Sequence, residues 1–130
     1  MKGDPRRRRF STRAIHAGNP PEASTGAVAV PIFQTSTYVF DRFGENKGYD
    51  YARTRNPTRS ALEENLAALE GGVAGHAFAS GMSAIAALLT LVRSDERVVF
   101  SRNVYGGTYR FVTQVMDRYR LDDVWVDTTD

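Results

Sequence analysis

Cysteine is absent from the 130 residues, which excludes disulfides, thiolate nucleophiles and sulfur-ligated zinc. Lysine is scarce: of 17 cationic residues only Lys2 and Lys47 are lysines, and the rest are arginines. Amine chemistry is therefore confined to two side chains and the N-terminus. Histidine occurs only as His16 and His76, so a multi-histidine metal site is excluded and no metal is expected. No apolar run approaches the ~18 residues that cross a bilayer. The basic start, residues 1–9, is not followed by an apolar stretch, so it does not read as a secretory leader. Charge of one sign does not dominate either: the formal net charge is +2, too even to argue for a nucleic-acid or membrane surface. Neither partner is expected, and a cytoplasmic location is the default expectation.

What is present is globular in character. Hydrophobic residues make up 42% and charged residues 25%, enough apolar content for a packed core. Residues 1–10 read as a disordered basic tail, with Arg6, Arg7, Arg8 and Arg9 as a solvated run capable at most of salt-sensitive, non-specific contacts. Residues 11–17 suit a short helix capped by Ser11 or Thr12 and ended by Gly18. Residues 18–50 show no sustained period and carry several prolines and glycines. So long a stretch is unusual inside a compact domain and reads as an arm that packs on something else. Val28, Val30, Ile32, Phe33, Tyr38, Val39 and Phe40 make that arm apolar, which suits contact with another subunit or with a further part of the chain.

From residue 57 onward the pattern is regular. Asn56-Pro57 opens a helix with Leu62, Leu66 and Leu69 as its expected buried stripe, and Gly71-Gly72 closes it. Residues 76–79 suggest a short buried strand. Met82, Ile85, Leu89 and Val92 predict a second helix, and Arg97–Ser101 a second strand. Gly106-Gly107 leads into a third helix with Phe111, Val112, Val115, Met116 and Tyr119 on one face, and residues 123–127 form a third strand. Alternating helices and strands predict an α/β fold with a mostly parallel sheet. Three helices and three short strands do not cover such a sheet, so the expectation is the N-terminal portion of a longer protein, with 11–56 as arm and 57–130 as the incomplete start of the large domain.

In open α/β folds ligands bind beyond the carboxyl ends of the strands. Ser80-Gly81-Met82-Ser83 lies at such a point, where the N–H groups of Gly81, Met82 and Ser83 open a helix. By itself the turn reads two ways, as an anion site or as an ordinary tight turn. Tyr105, in Asn103-Val104-Tyr105-Gly106-Gly107-Thr108, either stacks on a planar ligand or packs over its own loop. Tyr51 and Arg53 are expected on an extended segment, pointing the same way, where a phenol and a guanidinium form either a phosphate grip or a surface pair.

The ordered set Tyr51-Ala52-Arg53…Asn56-Pro57-Thr58, Leu69-Glu70-Gly71-Gly72, Ser80-Gly81-Met82-Ser83-Ala84 and Tyr105-Gly106-Gly107-Thr108 resembles the cysteine/methionine-metabolism enzymes that use pyridoxal 5′-phosphate (PLP). Within that family the similarity is greatest to cystathionine γ-synthase and γ-lyase. Thr12-Arg13-Ala14-Ile15-His16-Ala17-Gly18 and residues 31–38 look like the family's N-terminal arm, so the resemblance covers nearly the whole chain. One position departs: residue 55, often glycine in that branch, is Arg55.

The resemblance implies a fold type I, aspartate-aminotransferase-like large domain working as a dimer of dimers on a small amino-acid substrate. It implies that Gly81 and Met82 hold the cofactor phosphate through backbone N–H groups. Tyr51 and Arg53 would reach the phosphate of the neighbouring subunit's cofactor, Tyr105 would stack on the pyridine ring, and Arg110 would stand at the mouth of the site. The expected reaction is γ-replacement or γ-elimination on a homoserine ester or cystathionine. Methionine γ-lyase and O-acetylhomoserine sulfhydrylase chemistry are alternatives within the family, and a non-catalytic anion-binding, self-associating module is the alternative outside it. Neither Lys2 nor Lys47 matches the family's Schiff-base lysine, so these residues alone are expected to be inactive.

Overall fold

The computed structural model describes residues 9–129, and the Arg6–Arg8 part of the basic run lies outside them. The chain forms two compact units, Met1–Ala77 and Phe78–Asp130, each built around its own helices.

In the first unit, α1 (Phe10–His16) and α2 (Pro57–Glu70) pack together. Helix α1 begins at Phe10, inside the stretch expected to be tail. Its cap residue is Arg9, with no side-chain cap bond, so neither Ser11 nor Thr12 has the capping role expected of it. The helix ends as expected, with Gly18 at φ 69°. Glycine is needed there twice over. A Cβ would press on Ala61 O at 2.5 Å and Asn65 N at 2.9 Å, and the φ is left-handed.

Helix α2 follows its sequence signals closely. The Asn56 side chain accepts from Thr58 N, Pro57 fills the first turn, and Gly71 closes the helix in the left-handed region. The face it buries is different from the one expected. Leu62 and Leu66 are about half exposed, whereas Ser60 is buried. The reason is that α1 and its following turn settle on small and polar residues. Arg13 Nη1 donates to Ala68 O at 2.8 Å, and Asn65 Nδ2 donates to the carbonyls of Arg13, Ala14 and Ala17 at 3.3, 3.2 and 2.8 Å. Arg13 O also accepts from the cap Ala17 N–H at 2.9 Å, and the Asn65 amide adds a partner for the carbonyls of Ala14 and Ala17 at the helix end.

The intervening arm is irregular, with only two isolated bridges, Thr37 to Tyr51 and Arg42 to Glu45. It is nevertheless pinned to the start of α2: Phe33 N donates to Thr58 Oγ1, which donates in turn to Pro31 O, and Asn56 Nδ2 donates to Phe33 O. Val28, Ile32, Val39 and Phe43 on this arm are largely exposed.

The expected strand at residues 76–79 is absent. This stretch forms no ladder with a described strand, and the Ala77 N–H goes instead to Glu63 Oε1 at 2.9 Å.

The second unit runs α3 (Gly81–Leu89), β1 (Arg97–Ser101), α4 (Gly106–Arg110), a π-helical turn (Phe111–Val115), a 3₁₀ turn (Met116–Tyr119) and β2 (Asp122–Val126). The two strands are parallel, with Val99 opposite Val124 and Phe100 opposite Trp125. The rings of Phe100 and Trp125 stack at 4.8 Å, and Tyr109 meets Trp125 edge-on at 5.2 Å. Leu89 and Val112 are the buried apolar residues of this unit. The single apolar face expected on the third helix breaks up, because a wider π turn advances each residue less than 100° around the axis. Val112 stays buried, while Val115 and Tyr119 are exposed. Val92 lies beyond the end of α3 rather than on it.

Replacing Asn65 with alanine removes the amide whose two N–H groups reach three carbonyls of α1 and its cap, and leaves α2 intact. The expected cost is about 1–3 kcal/mol, with faster hydrogen exchange confined to residues 10–18. Unchanged exchange there would show that α1 docks without the amide.

A second outcome concerns pH. The Ser24 N–H, followed by the Ser24 hydroxyl and the Thr25 hydroxyl and N–H, holds the Glu22 carboxyl at about 2 rather than 4.5. A depressed carboxylate stabilises its turn fully above 4.5 and loses that contribution as pH falls through about 2. An NMR titration of Glu22 should show this low midpoint, and Ser24→Ala should move it upward.

Candidate functional site

In the first unit Tyr51 and Arg53 do meet, although not on an extended segment. Tyr51 bridges to Thr37, and the chain then turns, with Thr54 N and Arg55 N both bonding Tyr51 O at 3.0 and 2.9 Å. Within this turn Arg53 Nη2 donates to the Tyr51 hydroxyl at 2.8 Å, and its guanidinium lies 5.4 Å from the ring centroid. Arg55, the departure noted above, lies over Tyr49 at the same distance, 5.4 Å. Arg53 and Tyr51 are exposed, so the donors of the guanidinium fork not used on the phenol face solvent. The pair suits an oxyanion, which accepts from a fork and a phenol together.

The residue that holds this turn was not legible as a site residue. Arg59 Nη1 donates to the carbonyls of Ala52 and Arg53 at 3.4 and 3.3 Å, and Nη2 to Thr54 O at 2.6 Å. The visible signal was an arginine one turn into the helix that follows the motif, a spacing that carries no chemistry until the chain folds back on it.

In the second unit the start of α3 keeps fewer free donors than expected. Ser80 caps it: its Oγ accepts from Ser83 N at 3.1 Å and contacts Ser83 Oγ at 2.8 Å. This removes Ser83 N–H from the three donors expected to be free. Among the described residues no protein acceptor meets the N–H of Gly81 or Met82, and Gly81 has open space where a Cβ would stand. Two free N–H groups at the positive end of a nine-residue helix, beside a bare glycine, fit a phosphate.

Tyr105 is the cap position of α4 and is 71% exposed, so its ring has a free face. The ring folds back over Gly107, where a Cβ would collide with Tyr105 Cε1 and stand 3.0 Å from Cδ1. Thr108 is buried and donates to Met82 Sδ at 3.8 Å, which links the start of α4 to the start of α3. Arg110 ends α4 and is exposed. Beyond the strands, Ser101 Oγ and Thr128 Oγ1 are 2.9 Å apart, and the Thr129 hydroxyl, then its N–H, holds the Asp127 carboxyl below the usual carboxylate range.

Each unit thus carries donors for an anion, and the second adds an exposed aromatic ring to a parallel α/β frame. Such free donors and a free ring face are of the kind that suit a phosphorylated, planar ligand. The chain matches the Cys/Met metabolism PLP-dependent enzyme family over residues 11–130 and belongs to that family. It is 49% identical over 118 residues to a cystathionine gamma-lyase of Bacillus subtilis, covering 91% of this chain and 31% of the lyase. It is 48% identical to a probable cystathionine gamma-synthase of Herpetosiphon aurantiacus, covering 93% of this chain and 38% of that protein. A cystathionine beta-lyase of Lactococcus lactis is 49% identical over 84% of this chain and 29% of its own length. The crystal structure of metB from Corynebacterium glutamicum superposes with a TM-score of 0.90 at 39% identity, covering 98% of this chain and 34% of that one. The chain therefore spans about a third of the length of these relatives. Its α/β architecture with a small parallel sheet is that of part of the fold type I domain.

PLP is the cofactor expected of this family. The residues present suit its phosphate, through the two unpartnered N–H groups of α3, and its ring, through the free face of Tyr105. The one lysine among the described residues, Lys47, is 3.7 Å from Asp41 in the arm.

The Gly107 contact gives a direct expectation. Gly107→Ala adds about 1 kcal/mol of helix propensity but displaces a flexible ring, so stability should barely change. The Tyr105 ring should leave its place over α4, and nuclear Overhauser contacts between that ring and residue 107 should report it. An unmoved ring would show that Gly107 does not set its pose.

Proposed function

We propose that this chain supplies cofactor-holding residues to a PLP-dependent trans-sulfuration enzyme. That enzyme acts on an amino acid bearing a heteroatom at Cγ, such as a homoserine ester or cystathionine, by γ-replacement or γ-elimination. The observation that carries the reading is the pair of unpartnered N–H groups at Gly81 and Met82, opening a helix beside a glycine with no steric obstruction. The family match and the relatives named as γ-lyase and γ-synthase support it; the beta-lyases at similar identity mark the point where the assignment needs an assay.

When bound, PLP supplies an electron sink for charge left at the substrate's Cα. The work of this chain is to hold and orient. The Gly81 and Met82 N–H groups and the positive end of α3 would hold its phosphate. The exposed face of Tyr105 would stack on its ring and shield one side of it from water. Tyr51 and Arg53 donate to the cofactor phosphate of a neighbouring subunit, so each site is completed by a second copy and the enzyme works as a homo-oligomer. Arg110 stands toward the entrance, where a guanidinium suits a substrate carboxylate. No lysine of this chain is assigned the covalent role.

Subunit mixing tests the shared site in the intact enzyme. Subunits carrying Arg53→Ala, and subunits with the cofactor-bonding lysine replaced, should each be nearly inactive alone. A lost charge-assisted contact costs about 1.5–3 kcal/mol where it is missing. In a mixed dimer one site has both groups and the other has neither, so activity should return in about half of the sites. Mixed dimers as inactive as their parents would place Arg53 in its own subunit's site. Product analysis with cystathionine settles the bond: cysteine and a four-carbon keto acid report γ-elimination, and homocysteine with pyruvate would overturn it.

A further inference from the structure

The phosphate-facing pair Tyr51 and Arg53 sits on a turn, and a turn of this kind is soft unless its carbonyls are satisfied. Tyr51 O is taken by the N–H groups of Thr54 and Arg55. The next three carbonyls, of Ala52, Arg53 and Thr54, all accept from the Arg59 guanidinium, at 3.4, 3.3 and 2.6 Å. Arg59 Nε also forms an ion pair with Glu63 Oε1 at 3.5 Å, one helical turn further along α2. The same Glu63 oxygen accepts from Ala77 N at 2.9 Å. Side-chain exposure is 32% for Arg59 and 22% for Glu63, so this is a part-buried network and not a surface pair.

The guanidinium is planar and rigid, and its five N–H groups form a fixed fork. A fork holding consecutive carbonyls dictates where the peptide planes of the turn lie, and those planes aim the side chains they carry. Arg59 makes no hydrogen bond to the Tyr51 hydroxyl and bonds Arg53 only at its backbone carbonyl. We propose that Arg59, braced by Glu63, is the positioning residue for the Tyr51–Arg53 anion grip. It presets the turn so that Arg53 meets the Tyr51 hydroxyl before any phosphate arrives. The inference rests on the reading of Tyr51 and Arg53 as phosphate contacts, and preorganisation of this kind lowers the ordering cost of binding.

The test uses the intact enzyme with Arg59→Lys, which keeps the charge and loses the fork, and Glu63→Gln, which keeps the fork and weakens its brace. Hydrogen exchange of the Thr54 and Arg55 N–H groups reads the turn with no ligand present. Affinities of the apoenzyme for PLP and for unphosphorylated pyridoxal read the grip. Arg59→Lys should speed exchange at Thr54 and Arg55 by about tenfold and weaken PLP by about fivefold, with pyridoxal unchanged. Glu63→Gln should do the same about half as strongly on a logarithmic scale. A uniform loss for both ligands would mean that Arg59 is only structural, and unchanged exchange at Thr54 and Arg55 would mean that it does not set the turn; either result overturns the proposal. If the parent enzyme itself shows no preference for PLP over pyridoxal, the phosphate-site reading falls, and the exchange result alone then decides whether Arg59 presets the turn.

Discussion

The first turn of α2 is where the irregular half of the first unit is tied down. A helix start leaves backbone donors without partners, and side chains gathered to satisfy them also serve other segments. Asn56 uses both ends of its amide: the oxygen caps Thr58 N and the nitrogen donates to Phe33 O. Thr58 uses its hydroxyl twice, accepting from Phe33 N and donating to Pro31 O. Arg59 gathers the carbonyls of the turn that follows Tyr51. A stretch without secondary structure, from Pro31 to the Tyr51 turn, is thereby referenced to one rigid helix end. Without that anchor an arm with so many exposed apolar side chains would have no fixed course.

The second unit solves a similar problem with absences. Gly81 has no side chain, so the end of α3 stays open to a ligand, and Gly107 has none, so Tyr105 can lie over its own helix. Ser80 closes one of the three free donors of α3 and leaves two, a more selective arrangement than an uncapped turn. The buried Thr108 hydroxyl, spent on the sulfur of Met82, keeps the two helix starts in contact.

Local chemistry was readable wherever a residue acts on its immediate neighbours. Asn56-Pro57 and Gly71 set the bounds of α2, and Gly18 ends α1, because capping geometry spans only a few residues. Strand β1 was recognised over Arg97–Ser101, and β2 to within one residue, because continuous apolar runs between turn signals leave little choice. The strand expected at residues 76–79 was misread because a strand is defined by what lies beside it, and local composition carries no information about a neighbour.

The sequence by itself determined the family, the parallel α/β class and the candidate grip residues, since these depend on residue type in order and spacing. Tertiary structure decided which face of α2 is covered, because the helix period marks an apolar stripe but Asn65 and the small residues opposite it are where α1 settles. It decided that Tyr51 and Arg53 meet through a turn and not through strand alternation, because three carbonyls converge on a guanidinium several residues further on. It also decided that Gly81 and Met82, and not Ser83, keep free donors at the start of α3, because the helix start brings Ser83 N within reach of the Ser80 hydroxyl.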